Sequence, residues 1–249
     1  MNPAEVVARL RAAGCVFAEE EAALLAADGR DLDALVARRV AGEPLEQVLG
    51  WVAFCGLRVL LDPGVFVPRQ RTALLVEEAV ALGGRVVVDL CCGSGAVGLA
   101  VAAGLPDAEL VGADVDPAAV ACARRNGVGA RAGDLFDALP EHLRGRVDLL
   151  CVNAPYVPTD AIADMPPEAR DHEPATALDG GADGLDLHRR VAAGARGWLA
   201  PGGSLLLETS RRQAPGTLAA VTAGGLAARL VTDDDRGAAV VVGTRVRGS

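Results

Sequence analysis

The 249 residues, 51% of them hydrophobic, are enough for one large α/β domain with a real core and a small appendage. A formal net charge of −9 makes the average surface repel phosphates, which disfavours nucleic acid as a partner. The six cysteines show no Cys-x-x-Cys spacing and form no cluster with the three histidines, so we expect reduced thiols in a cytoplasmic protein and no metal site. Without an apolar run of 18 residues or a signal-peptide pattern, we expect neither a membrane span nor secretion.

The N-terminal part reads as a small helical domain over residues 1–42. Three short helices are predicted there, separated by Gly14 and Gly29. Residues 43–71 are predicted to be a linker with a β-hairpin. Residues 42–50 are expected to form a link, and the hairpin is expected over residues 51–61 because polarity alternates there.

The rest of the chain, residues 72–249, is predicted to be one α/β domain. Thr72 is a candidate N-cap for a helix over residues 73–82, after which strands and helices alternate. This alternation indicates a parallel sheet with helices on both faces. Residues 228–244 hold two β-runs around a polar turn, which predicts a closing antiparallel hairpin. Residues 158–186 are rich in Pro, Asp and Gly and are expected to form a long loop over the site.

The segment V-V-V-D-L-C-C-G-S-G-A-V-G-L-A at 86–100 indicates a nucleotide-type binding loop. Its β-branched run is typical of a strand buried on both faces of a parallel sheet. Gly93 and Gly95 let the chain turn tightly and let a ligand approach the backbone, while the next helix points unpaired N–H groups at that ligand.

Two ligand classes fit this loop. Gly93, Gly95 and Gly98 match the dinucleotide pattern G-x-G-x-x-G, and Asp114 follows Gly93 by 21 residues, where an acid would bind a ribose. Asp89, however, would repel a pyrophosphate and would attract the ammonium of a methionine moiety. The sequence therefore favours S-adenosylmethionine (SAM) over NAD, with helix capping as the structural alternative for Asp89.

Two further acids follow strands. Asp116 before Pro117 reads as a helix N-cap, which leaves Asp114 for the ribose hydroxyls. Asp134 in G-D-L-F-D lies where an adenine amino group would be bound, or it is an ordinary turn acid.

The motif N-A-P-Y at 153–156 follows a buried strand, which is where open α/β sheets bind ligands. Asn153 offers a side-chain oxygen, and Ala154, extended because Pro155 follows it, offers its carbonyl beside it. These two acceptors suit the two N–H bonds of one NH₂ group, and Tyr156 supplies a flat wall. A strand-ending turn is the structural alternative. No histidine or strong base adjoins the motif, so we expect none to be needed before transfer.

From about Gly42 to Arg245 the chain resembles the release-factor glutamine methyltransferases, the HemK/PrmC family. The resemblance rests on G-E-P-L-E-Q-V-L-G, F-C-G-L-R-V-L-L-D-P-G-V-F-V-P-R, V-D-L-C-C-G-S-G-A-V-G-L-A, G-D-L-F-D, N-A-P-Y, H-E-P-A-T-A-L-D-G-G-A-D-G-L and L-A-P-G-G-S-L-L-L-E-T-S-R-R-Q. It implies a Rossmann-like SAM-dependent methyltransferase fold with a seven-stranded, mostly parallel sheet and a C-terminal antiparallel hairpin. It also implies methylation of the side-chain amide nitrogen of a glutamine in a Gly-Gly-Gln loop, with a protein substrate such as a peptide chain release factor.

Carried over by residue, the resemblance implies two sets of contacts. Those to SAM fall at Asp89, Cys91, Gly93, Ser94, Gly95, Asp114, Asp134, Leu135 and Asn153. Those to the acceptor amide, the catalytic set, fall at Asn153, Ala154, Pro155 and Tyr156.

Three departures from the family pattern bear on the acceptor. Ala154 replaces the first proline of N-P-P-Y, Arg71 reverses a charge in P-R-P-E-T, and the helical part that helps to dock the release factor is about half its usual length. They predict a divergent paralogue with weak or absent activity on a bacterial release factor. Methylation of a nucleic-acid base, methylation of a small molecule, and SAM binding without turnover stay open as alternatives.

Overall fold

The computed structural model describes residues 1–248. Its helices are α1 Pro3–Ala12, α2 Ala18–Ala27, α3 Leu32–Val40, α4 Leu45–Leu49, α5 Ala73–Leu82, α6 Ala96–Gly104, α7 Pro117–Arg125, α8 Pro167–His172, α9 Asp186–Trp198 and α10 Ala214–Ala223. Its strands are β1 Trp51–Phe54, β2 Leu57–Leu60, β3 Val86–Leu90, β4 Glu109–Asp114, β5 Gly129–Ala132, β6 Val147–Val152, β7 Leu199–Thr209, β8 Ala227–Asp233 and β9 Ala238–Thr244.

Seven of these strands form one sheet in the order β5-β4-β3-β6-β7-β9-β8. The first five strands of that order pair in parallel, whereas β9 runs antiparallel to both of its neighbours. The predicted seven-stranded, mostly parallel sheet with its closing hairpin is confirmed. The chain order reverses between β3 and β6, and the carboxyl ends of the strands at such a reversal form a crevice that binds ligands.

Both faces of the sheet are covered, as the unbroken valine run of β3 predicts. Val87 packs with Leu75 of α5 and Val101 of α6, whereas Val88 packs on the opposite face with Val191 of α9. Successive side chains of a strand point to opposite faces, so both valines of this strand are fully buried.

The N-terminal helices α1–α3 lie where the sequence predicts them and share a small core that includes Leu10, Leu25 and Val36. The hairpin of β1 and β2 is also confirmed. The link expected over residues 42–50 contains a helix that was not predicted, α4, whose Val48 and Leu49 pack into the same core. Tertiary burial therefore stabilises a helix that is too short to form alone. The division of the chain at residues 42 and 71 stays a prediction.

The structure corrects the sequence reading in two further places. Thr72 precedes α5 as predicted but makes no capping bond, because Gln70–Thr72 is a 3₁₀ turn that already gives Thr72 a helical backbone. Residues 158–186 are not a plain loop, since they contain α8 and the short 3₁₀ turns Thr159–Asp164 and Ala175–Ala177.

Candidate active site

A cavity of about 460 Å³ lies at the carboxyl ends of β3, β4 and β6. It gathers nearly all the residues predicted to bind the donor or the acceptor: Asp89, Cys91, Gly93, Ser94, Asp114, Asp134, Leu135, Asn153, Ala154, Pro155 and Tyr156. Gly95 is outside the cavity lining. It occupies the N-cap position of α6 with a φ of 81°, and a Cβ there would come within 2.7 Å of Val128.

Asp89 is the penultimate residue of β3 and is 1% exposed, although it reaches the cavity. Its Oδ2 accepts a hydrogen bond of 2.8 Å from the N–H of Gly98 in the first turn of α6, so the alternative capping role is present in the structure. Burial raises the pKa of this carboxyl to about 8. Among the ion pairs of residues 1–248 none involves Asp89. A cationic ligand would therefore supply the charge that this buried carboxylate lacks.

Asp114 ends the neighbouring strand β4 and holds the glycine loop in place. Its Oδ2 accepts from the Gly93 N–H at 2.8 Å, and its Oδ1 accepts from the Asp116 N–H at 2.9 Å. Asp116 in turn caps α7, because its Oδ1 accepts from the Ala118 N–H at 2.8 Å, as the sequence predicts. Asp114 thus orders the loop and also faces the cavity.

Two non-glycine residues of the cavity have left-handed backbones. Cys91 has φ 60° and Leu135 has φ 49°, a conformation that L side chains seldom adopt. Such strain persists only where the surrounding structure imposes it, and it is concentrated at functional sites. Burial raises the pKa values of the Cys91 and Cys92 thiols well above the ordinary range, so both are unreactive thiols at neutral pH.

Asp134 differs from Asp89 and Asp114 because it forms an ion pair with an arginine. Its Oδ2 accepts from Arg190 of α9 at 2.7 Å, and both side chains are about half exposed. The two residues of this ion pair are 56 positions apart in the sequence, and the interpretation of Asp134 as an ordinary turn acid did not predict the pair. Asp134 still lines the cavity, so a ligand contact through its other oxygen stays a prediction.

The N-A-P-Y motif follows β6 directly. The Asn153 Nδ2 donates to the Thr72 Oγ1 at 3.4 Å, an orientation that leaves the Asn153 Oδ1 available as an acceptor. The peptide after the motif is also fixed, since the Gln213 Nε2 donates to the Tyr156 carbonyl at 2.7 Å and the Val157 N–H donates to the Leu178 carbonyl at 3.0 Å.

Two groups that the sequence did not place near the motif lie against Tyr156. The Tyr156 hydroxyl donates to the Glu208 Oε1 at 3.1 Å, and the His188 ring centroid lies 6.1 Å from that of Tyr156. A carboxylate and a histidine that are distant in sequence therefore lie beside the motif in the folded chain, and the expectation that no base is needed before transfer stays a prediction. Burial lowers the pKa of His188 to about 4, so its ring is neutral. The available sequence signal was the position of Glu208 at the end of a buried strand, L-L-L-E-T.

The segment over residues 158–186 covers the acceptor side of the cavity and is tied to the rest of the protein by buried ion pairs. Glu173 accepts from both Arg69 at 2.7 Å and the Val67 N–H at 3.1 Å. Arg39 of α3 pairs with Glu21 and also with Glu168 of α8, both at 2.7 Å. The helical N-terminal part thus contacts the cover of the cavity directly.

The lining of the cavity is rich in acidic side chains. Two arginines line it, Arg69 and Arg71, against seven acidic residues, Glu46, Asp89, Asp114, Asp116, Asp134, Glu168 and Glu173. Asp134 and Glu168 are paired with Arg190 and Arg39, and burial raises the pKa of Asp89 to about 8. Such a lining attracts a cation and repels phosphates.

Within residues 1–248 all six cysteines are free, and the structure groups no three metal-ligating side chains. None of the described helices has the length and apolarity that crossing a bilayer requires.

Comparison with known proteins decides the family. A release factor glutamine methyltransferase from Geobacter sulfurreducens is 40% identical over 220 aligned residues, covering 85% of this chain and 76% of that protein. This chain belongs to the release factor glutamine methyltransferase family. Residues 56–165 also match the family model described as "Methyltransferase small domain". The predicted family and enzyme class are confirmed, and the methyl donor of this class is SAM.

One relative with a different name and one solved structure are also similar to this chain. The 4-amino-L-phenylalanine/4-methylamino-L-phenylalanine methyltransferase of Streptomyces pristinaespiralis is 41% identical over 186 residues, covering 70% of this chain and 63% of that protein. The crystal structure of a methyltransferase from Pyrococcus furiosus superposes with a TM-score of 0.58 at 16% identity, over 84% of this chain and 97% of that one. The second likeness shows the methyltransferase fold alone.

Proposed function

We propose that the protein transfers a methyl group from SAM to the side-chain amide nitrogen of a glutamine in a peptide chain release factor. The observation that supports this most directly is that the amide-binding motif at 153–156 and the acidic glycine loop open into one cavity. Donor and acceptor groups would then meet in a single space, as a direct transfer requires.

The donor side of the cavity fits SAM. SAM carries an ammonium and a sulfonium against one carboxylate, so its net charge is positive and complements the excess of acidic side chains in the lining. Asp89 lacks a cationic partner and would hold the ammonium, while Asp114 keeps the loop in shape and would accept from the ribose hydroxyls. When bound, SAM supplies an electrophilic methyl group.

The acceptor side fits a planar NH₂ group. The Asn153 Oδ1 and the Ala154 carbonyl would accept one N–H bond each, and Tyr156 would pack against the plane of the amide. As the amide nitrogen attacks, its lone pair would form the bond to the methyl carbon while the carbon–sulfur bond of the donor breaks, so positive charge grows on the nitrogen until it loses a proton to water. Two preorganised acceptors stabilise that charge without having to reorient, and this selective stabilisation of the transition state lowers the barrier.

The charge reversal at Arg71 is less of an obstacle to a release factor than the sequence suggests. Arg71 lies 3.4 Å from the buried carboxylate of Glu208, so the pair adds no net charge to the cavity. The short N-terminal helical part is still a reason to expect weak docking of the release factor. Relatives with 36–41% identity bear the name release factor glutamine methyltransferase, which supports this acceptor.

The test is methyl transfer from tritiated SAM to an unmethylated release factor made in cells that lack its own methyltransferase. We expect about one methyl group per factor, located by peptide mapping on the glutamine of the Gly-Gly-Gln loop. A release factor with asparagine at that position is the matched control and should stay unlabelled. No label on the wild-type factor at stoichiometric enzyme would contradict the proposal.

A second candidate acceptor is the aromatic amine of a small amino acid. The relative from Streptomyces pristinaespiralis, named for that kind of substrate, has about the same percentage identity to this chain as the release factor enzymes, over a shorter aligned stretch. Incubation with 4-amino-L-phenylalanine in the same assay separates the two candidates. Binding to RNA and DNA at low salt tests the base-methylating alternative, which the acidic lining disfavours.

A further inference from the structure

Tyr156 is the only tyrosine of the chain, and its hydroxyl is held from two sides. It donates to the Glu208 Oε1 at 3.1 Å and accepts from the Arg71 Nη2 at 2.9 Å. The Arg71 Nε also lies 3.4 Å from the same Glu208 oxygen. Arg71 and Tyr156 line the cavity, whereas Glu208 lies behind them and is 2% exposed.

These contacts decide the charge at the acceptor end of the cavity. An arginine without a partner would oppose both the cationic donor and the positive charge that grows on the acceptor nitrogen. Glu208 lies close enough to balance that charge: burial raises the pKa of its carboxyl, and the contacts from Arg71 and Tyr156 act in the opposite direction and favour the carboxylate. Burial raises the pKa of the Tyr156 hydroxyl to about 12, so it stays protonated and able to donate to Glu208 at neutral pH.

We propose that Glu208 and Arg71 are a charge-balanced positioning pair, which fixes the Tyr156 ring beside the amide-binding residues and keeps that end of the cavity neutral. The pair thereby selects an acceptor with an uncharged NH₂ group. Glu208 touches neither donor nor acceptor and acts through Tyr156 and Arg71. This inference rests on the proposed transfer to an amide nitrogen.

The activity test is a double-mutant cycle in the release factor assay. Glu208→Gln leaves Arg71 unbalanced and should lower kcat about 10- to 100-fold, with the Kd for SAM within about threefold of wild type. The double variant Arg71→Gln with Glu208→Gln removes both charges, so its kcat should be about tenfold higher than that of Glu208→Gln alone. Losses that simply multiply in the double variant would overturn the proposal. The exposed pair Arg229 and Glu78, 2.7 Å apart and outside the cavity lining, is the matched control, and its Gln variants should retain kcat.

A second readout does not depend on turnover. Because Tyr156 is the single tyrosine, tyrosine labelled with ¹³C at Cζ gives one resonance that reports on its hydroxyl. The resonance should shift in Arg71→Gln and in Glu208→Gln and stay in place in the Arg229→Gln control. An unchanged resonance in Glu208→Gln would overturn the positioning role whatever the activity.

The two readouts also separate this inference from the proposed function. If the wild-type protein methylates no release factor but the resonance shifts, the acceptor assignment fails and the positioning pair stands. If Glu208→Gln does not fold, Tyr156→Phe removes only the hydroxyl and should lower kcat about tenfold with SAM affinity unchanged. Unchanged kcat in Tyr156→Phe would contradict the proposal.

Discussion

Replacing Asp89 by asparagine isolates the charge that we assign to donor binding. Asparagine keeps a side-chain oxygen for the Gly98 N–H, which Asp89 binds at 2.8 Å, so the start of α6 should remain capped. What is lost is the negative charge that would pair with the ammonium of SAM. A hydrogen bond to a charged group is worth about 1.5–3 kcal/mol, which corresponds to a rise of about 10- to 150-fold in the Kd for SAM.

The raised pKa of Asp89 gives a second, independent signature of the same contact. With a pKa of about 8, the carboxyl of the free protein is mostly protonated at pH 7. Pairing with an ammonium favours the carboxylate, so binding should release most of one proton per SAM at this pH. The affinity of the wild-type protein for SAM should therefore rise with pH, by up to about tenfold per unit, until the pH reaches the pKa of free Asp89.

Isothermal titration calorimetry in two buffers with different ionisation enthalpies measures both quantities. The Asp89→Asn variant, titrated in parallel, has no carboxyl at position 89, so any proton release that remains comes from the SAM ammonium. The difference in proton release between the two proteins is therefore the contribution of Asp89. Equal affinity and equal proton release in both proteins would refute the role of Asp89. Tighter binding of NAD than of SAM would refute the donor assignment altogether.

Three further outcomes are expected. Asn153→Ala should lower kcat about 10²- to 10³-fold with the Kd for SAM within about threefold, measured in the methyl-transfer assay; near-normal turnover would exclude the amide-binding mechanism. Gly98→Ala should cost about 1–3 kcal/mol in chemical denaturation, because its Cβ would come within 2.8 Å of Leu110, whereas an unchanged midpoint would show that the helix shifts freely. Glu21→Gln leaves the buried Arg39 with one carboxylate fewer and should cost about 3 kcal/mol by the same measurement; a loss below about 0.5 kcal/mol would mean that Glu168 suffices.

Local signals were enough to predict the sheet and the two loops that carry most of the site. The valine run before Asp89 marks a strand that is buried on both faces, and Asn153 follows another such strand directly. In a parallel sheet the carboxyl ends of neighbouring strands share one edge, so these two residues had to lie near each other once the alternation of strands and helices was recognised. Helix caps such as Asp116 are equally local, since the side chain bonds to a backbone two residues away.

Only the tertiary structure decided which distant side chains meet. Arg71 and Tyr156 are 85 residues apart in sequence, Arg71 and Glu208 are 137 apart, and no periodicity within a segment encodes either contact. Glu208 comes beside the N-A-P-Y motif because β6 and β7 pair with Val152 opposite Leu207, a register fixed by burial of both strands. In the same way α4 exists because the core of the N-terminal helices buries its apolar side chains. Chain topology and packing, which no short stretch of sequence contains, set these contacts and with them the charge at the acceptor end of the cavity.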